Sequence, residues 1–127
     1  MPCEFLSLED LLDIVTALRI GPFRDLGLLN AAALRPQTTL MGQDAYPSTA
    51  AKAAALLESL TKNHALIDGN ERLAWASCSV FFSLNALEIS ETVSDDDVYD
   101  LVVAVASSRV TLEQVCATLS DWTATRP

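Results

Sequence analysis

From Thr49 to Lys62 the chain is built largely of alanine and leucine, the strongest helix formers. Side chains this small let neighbouring elements come close, so the run reads as a buried central helix. Ser48, just after Pro47, is placed to cap its first turn. A second run, Glu71 to Leu84, carries Trp75, Cys78, Val80, Phe81, Phe82 and Leu84. It is apolar nearly all round, which predicts a second buried helix. The two runs are separated only by a short polar turn that begins at His64, the single histidine of the chain.

The flanking segments are also helical in pattern. Ser7 with Asp10 forms a capping pair, and Leu8, Leu11, Leu12, Val15 and Leu18 recur at i, i+3, i+4 and i+7. Gly21-Pro22 ends that helix. A short helix is expected from Leu26 or Leu28 to Leu34, stopped by Pro36. Pro36 to Pro47 has loop composition and no helical period. Ser94 caps Asp95, Asp96 and Asp97, acids that suit the positive end of a helix dipole better than a metal site. Thr111 with Gln114 opens a last helix through Trp122. The expected fold class is all-α: about six helices around a buried central pair, in a single domain over residues 1–127. A chain of 127 residues can bury one such core without disulfides or metals.

Charge narrows the function classes. Seventeen acidic residues against eight basic ones give a net charge of −9. Nucleic-acid binding relies on Lys and Arg contacts to phosphate, so no nucleic-acid partner is expected. Anionic membranes are disfavoured in the same way, and no apolar run approaches the length of a bilayer span. The N-terminal residues lack the basic and apolar regions of a signal peptide. Three cysteines without C-x-x-C spacing read as reduced thiols, so a cytoplasmic location is expected.

The chemistry is concentrated in His64-Ala-Leu-Ile-Asp68-Gly69-Asn70-Glu71-Arg72. A histidine can take a proton near neutral pH, and a carboxylate such as Asp68 can hold a hard metal ion. Gly69 and Asn70 at the start of a helix tolerate unusual backbone angles and offer N–H groups to an anion. Arg72 can grip a phosphate oxygen. These parts suit phosphoryl or nucleotidyl transfer. Each has a plainer alternative: a solvated histidine, an Asp68 that only caps the next helix, an Arg72 that pairs with Glu58 or Glu71. Glu71 stands against the anion reading, because it sets a negative charge where the anion would sit.

This run resembles the signature of the Fic/Doc family, and in particular the Doc pattern H-x-F/L-x-D-G/A-N-K-R-T/L-A. His64, Asp68, Gly69, Asn70, Arg72, Leu73 and Ala74 match it, and Leu66 fills the apolar slot. Gly27-Leu-Leu, Arg35-Pro36, Gly42 to Pro47, Asn63-His64 and the stretch from Trp75 to Asn85 extend the similarity along most of the chain. The resemblance implies a helical Fic/Doc-like bundle. It implies that His64 is the general base, that Asp68 holds Mg2+, and that Gly69, Asn70 and Arg72 cradle the phosphates of ATP. It further implies a toxin that transfers the γ-phosphate to a threonine of elongation factor Tu and blocks translation, restrained by a Phd-like antitoxin. In Fic proteins a flap near the motif aligns the target by strand addition. Thr38, Thr39 and Leu40 have the β-prone character for that, although an ordinary connection fits the segment equally well.

Three departures from the family pattern stand out. Glu71 replaces a lysine, a two-unit change of charge that would weaken nucleotide binding on the order of a hundredfold. It leaves open an attenuated site, or a Doc fold that is catalytically silent or repurposed as a binding module, for AMP transfer or for other small-molecule chemistry. Asn85-Ala86 and Ser107-Ser108 each stand where the family usually has a glycine, which bears on stability rather than chemistry.

Overall fold

The computed structural model describes residues 2–126. Its six α-helices are α1 (Leu8–Leu18), α2 (Leu26–Leu34), α3 (Thr49–Lys62), α4 (Asn70–Leu84), α5 (Asp95–Ala106) and α6 (Leu112–Trp122). The caps explain most of the starts. Ser7, Ser94 and Thr111 form complete capping boxes with Asp10, Asp97 and Gln114. Ser48 accepts from the Ala51 N–H, and Asp25, which the sequence reading did not single out, accepts from the Leu28 N–H.

The helix α3 is the hub. It packs against α4, α6, α5 and α2, and its alanines Ala53, Ala54 and Ala55 are fully buried. Leu56, Leu57 and Leu60 join Phe81, Phe82, Leu73 and Cys78 of α4 in one apolar core. The all-α expectation and the central pair α3–α4 therefore hold.

Two expectations need correction. The helix α4 is not buried all round: Val80 is 39% exposed, Leu84 is 47% exposed, and Trp75 is half-buried. Apolarity marked the helix without marking its inner face, which is carried by Leu73, Ala74, Ser77, Cys78, Phe81 and Phe82. Nor is residues 36–47 a structureless loop. Arg35–Gln37 forms a 3-10 turn, and β1 (Thr39–Leu40) pairs antiparallel with β2 (Gln43–Asp44) across Met41-Gly42, both at positive φ. This hairpin is tied to α3 from two sides. Arg35 donates to the Tyr46 hydroxyl at 3.0 Å and pairs with Glu58 at 2.9 Å. The buried Lys52 reaches Asp44 at 3.1 Å and the Tyr46 carbonyl.

A second antiparallel pair was not anticipated. In it, β3 (Leu87–Ile89) aligns with β4 (Thr123–Thr125), fastening the chain after α6 to the end of α4. Trp75 and Trp122 meet edge to face at 6.1 Å on the way. Ala86 and Ser108, the two positions noted for their missing glycines, adopt φ of 61° and 58°.

Candidate functional site

The turn between α3 and α4 is fixed from outside by residues 20–25. Phe23 bridges Leu66, the Ile67 N–H donates to the Pro22 carbonyl at 2.9 Å, and the Arg24 N–H donates to the Ala65 carbonyl at 2.8 Å. The Arg24 guanidinium also clamps the carbonyls of His64 (2.6 Å) and Asn63 (3.2 Å). Those bonds hold His64 at φ 52°, a left-handed backbone that a histidine adopts only under constraint. The imidazole is exposed, and no residue among those described hydrogen-bonds it. A histidine placed in this way is available to a ligand or a target hydroxyl. Arg24 was missed in the sequence because its partners lie some forty positions away, with no motif linking them.

Gly69 begins α4 at φ 93°, and a β-carbon there would fall 2.6 Å from the Ile20 Cβ. Glycine is required twice over, by its backbone angle and by the close approach of α1's end. The helix α4 has no side-chain cap, unlike the other five. Its first helical bond runs from the Leu73 N–H to the Gly69 carbonyl at 2.9 Å. The N–H groups of Asn70, Glu71 and Arg72 thus have no acceptor within the helix, and they are the anion-attracting end of its dipole.

Asn70 plays a different part from the one its type suggests. Its amide donates to the Leu66 carbonyl (2.9 Å) and accepts from the Leu66 N–H (3.0 Å). The side chain therefore pins the turn, and only its backbone N–H faces the anion position. Asp68 is exposed, and one of its carboxylate oxygens accepts from the Gly69 N–H at 2.8 Å. The other has no hydrogen-bond partner among the described residues. No cluster of three or more metal-ligating side chains occurs among the described residues. A lone carboxylate with a free oxygen fits magnesium, which keeps its waters and takes phosphate oxygens rather than a protein cage.

Arg72 is exposed and donates to the Leu18 carbonyl at 3.5 Å. It pairs with neither Glu58, which is held by Arg35, nor Glu71. Two clefts meet at this point. One, of about 640 Å³, is lined by His64, Asp68, Gly69, Asn70, Glu71 and Arg72, with Thr61 and Lys62 from α3, Ile67, Ala106 at the end of α5 and Ser108 just after it. The other, of about 500 Å³, shares Glu71 and Arg72 and continues over Trp75, Val98 and Tyr99. Every residue expected at the catalytic and phosphate site lines the first cleft. Thr38, Thr39 and Leu40 do not: the β-character expected of them appears in Thr39 and Leu40 as the exposed strand β1, and Thr38 is the extended residue just before it. Lys62 and Thr61 were missed, although their places two and three residues before His64 at the end of α3 would have put them near it.

No helix among the described residues is long and apolar enough to cross a membrane. The model of the Fic/DOC family matches residues 5–82. "Toxin Doc" of Mycolicibacterium smegmatis is 42% identical over 123 residues, which covers 95% of each chain. With the His64 turn, the uncapped α4 and the central helix pair on the same scaffold, the chain belongs to the Fic/Doc family, within its Doc-toxin branch.

Proposed function

We propose that this chain is a Doc-type phosphotransferase that uses ATP to phosphorylate a hydroxyl of a protein target, with a threonine of elongation factor Tu as that target. The observation that carries the reading is the shared cleft. His64, Asp68, Arg72 and the open first turn of α4 all face one space of about 640 Å³. There the target oxygen would attack the γ-phosphorus while the bond to the β-phosphate oxygen breaks and ADP leaves. His64 takes the hydroxyl proton. Arg72 and the N–H groups of α4 stabilise the phosphoryl charge, which is the main task in such transfers. Asp68 would hold magnesium, whose charge would offset that of the phosphates. The hairpin would align the target chain against Thr39 and Leu40. A Phd-like antitoxin restraining the toxin in a bacterial cytoplasm completes the proposal.

Glu71 favours a second reading, a Doc fold with a silent or repurposed site. It lines both clefts and lies exposed where the Doc pattern has lysine. Mass spectrometry of elongation factor Tu after incubation with the chain, ATP and magnesium separates the readings. A phosphate adduct lost in His64→Ala supports the kinase reading. An adenylate supports AMP transfer. An unmodified target overturns the kinase proposal for elongation factor Tu.

A further inference from the structure

We propose that the Thr61 hydroxyl is a ligand-binding group of the His64 cleft, hydrogen-bonding an oxygen of the bound nucleotide. The inference rests on the nucleotide reading above. Thr61 lies in the last turn of α3 and is 2% exposed. Its Oγ1 has no hydrogen-bond partner among the described residues, and the residue lines the cleft. A threonine inside a helix can return its hydroxyl to the carbonyl four residues back. Thr16, inside α1, does so with Leu12 at 3.0 Å. Thr61 does not.

A buried hydroxyl without a partner destabilises a fold, and valine would fill the same volume without that cost. The hydroxyl is therefore explained by a partner that arrives with the ligand. Ser77 offers a contrast, because it is also buried and unpaired but lines neither cleft. The same cleft is lined by Lys62 and Ser108, a cation and a second hydroxyl, which suit an oxygen-rich group.

The test compares the full chain with Thr61→Val and Thr61→Ser. The probes are ATP with magnesium and inorganic tripolyphosphate with magnesium, followed by calorimetric titration, with thermal melts of each protein alone. Thr61→Val is expected to melt at the same or a higher temperature without ligand, yet to bind ATP about tenfold more weakly. Thr61→Ser should bind close to the parent. A loss seen with both probes assigns a phosphate oxygen, and a loss with ATP alone assigns the nucleoside; either supports the proposal. Unchanged ATP affinity in Thr61→Val overturns it while leaving the nucleotide reading intact. So does a lower melting temperature in that variant, which would mean that the hydroxyl serves the fold. If the parent binds neither probe, the nucleotide reading and the Thr61 proposal fall together.

Discussion

At the scale of single residues, Arg72 and Glu71 oppose each other across the first turn of α4. Arg72 has no carboxylate partner among the described residues and only a long bond to the Leu18 carbonyl, so its guanidinium can meet a phosphate. Arg72→Ala should cost about 2 kcal/mol of phosphate binding, the usual size for a charge-assisted bond, or roughly thirtyfold in affinity. Titration with tripolyphosphate measures it, and unchanged affinity would remove Arg72 from the site. Glu71 is exposed, so solvent reduces the penalty that its charge alone suggests. Glu71→Lys is expected to raise ATP affinity by about tenfold at low salt, and the parent and variant should converge as ionic strength rises. Equal binding at low salt would mean that the carboxylate does not act on the anion. Both residues could be read from the sequence, since they are part of a spaced motif. The use of Asn70 could not: an asparagine in a turn can face a ligand or its own backbone, and only coordinates show it spent on Leu66.

At the scale of elements, the helices were readable because capping residues and apolar periods are local signals. Ser7, Ser48, Ser94 and Thr111 all cap as their spacing predicts. The pairing of β3 with β4 was not readable, because its partners lie on either side of α5 and α6 and each strand is three residues long. The hairpin at 39–44 depends on Arg35 and Lys52, whose anchoring role is tertiary. The missing glycines were visible in the sequence, and the structure gives them a conformational meaning. Ala86 follows α4 and Ser108 precedes α6, both with a left-handed backbone that disfavours a β-carbon. Ala86→Gly and Ser108→Gly should each stabilise the fold by about 0.5–1 kcal/mol, the relief being partly offset by a looser unfolded chain. Chemical denaturation would show it as a higher midpoint at constant slope. A lower midpoint in both would mean that neither residue is strained.

At the scale of the whole molecule, the site is a junction. The end of α1, residues 20–25, the α3–α4 turn and the end of α5 all converge on it, which is why no single stretch of sequence described it completely. The chain as a whole is strongly acidic. The net charge is −9, and only two ion pairs form among the described residues, Arg35 with Glu58 and Lys52 with Asp44. Both rest on α3, and Lys52 is buried, so added salt screens it little. Most of the acids are unpaired and repel one another more in the compact state than in the extended chain. Salt should therefore stabilise this fold. Raising sodium chloride from low to about half-molar, where the Debye length falls to about 4 Å, is expected to lift the melting temperature by a few degrees. Sodium chloride is the right salt for this test, because sulfate or phosphate would also occupy the anion turn of α4 and stabilise by binding. A melting temperature that falls with sodium chloride would mean that the ion pairs at the hairpin, rather than the unpaired acids, dominate the electrostatics of the molecule.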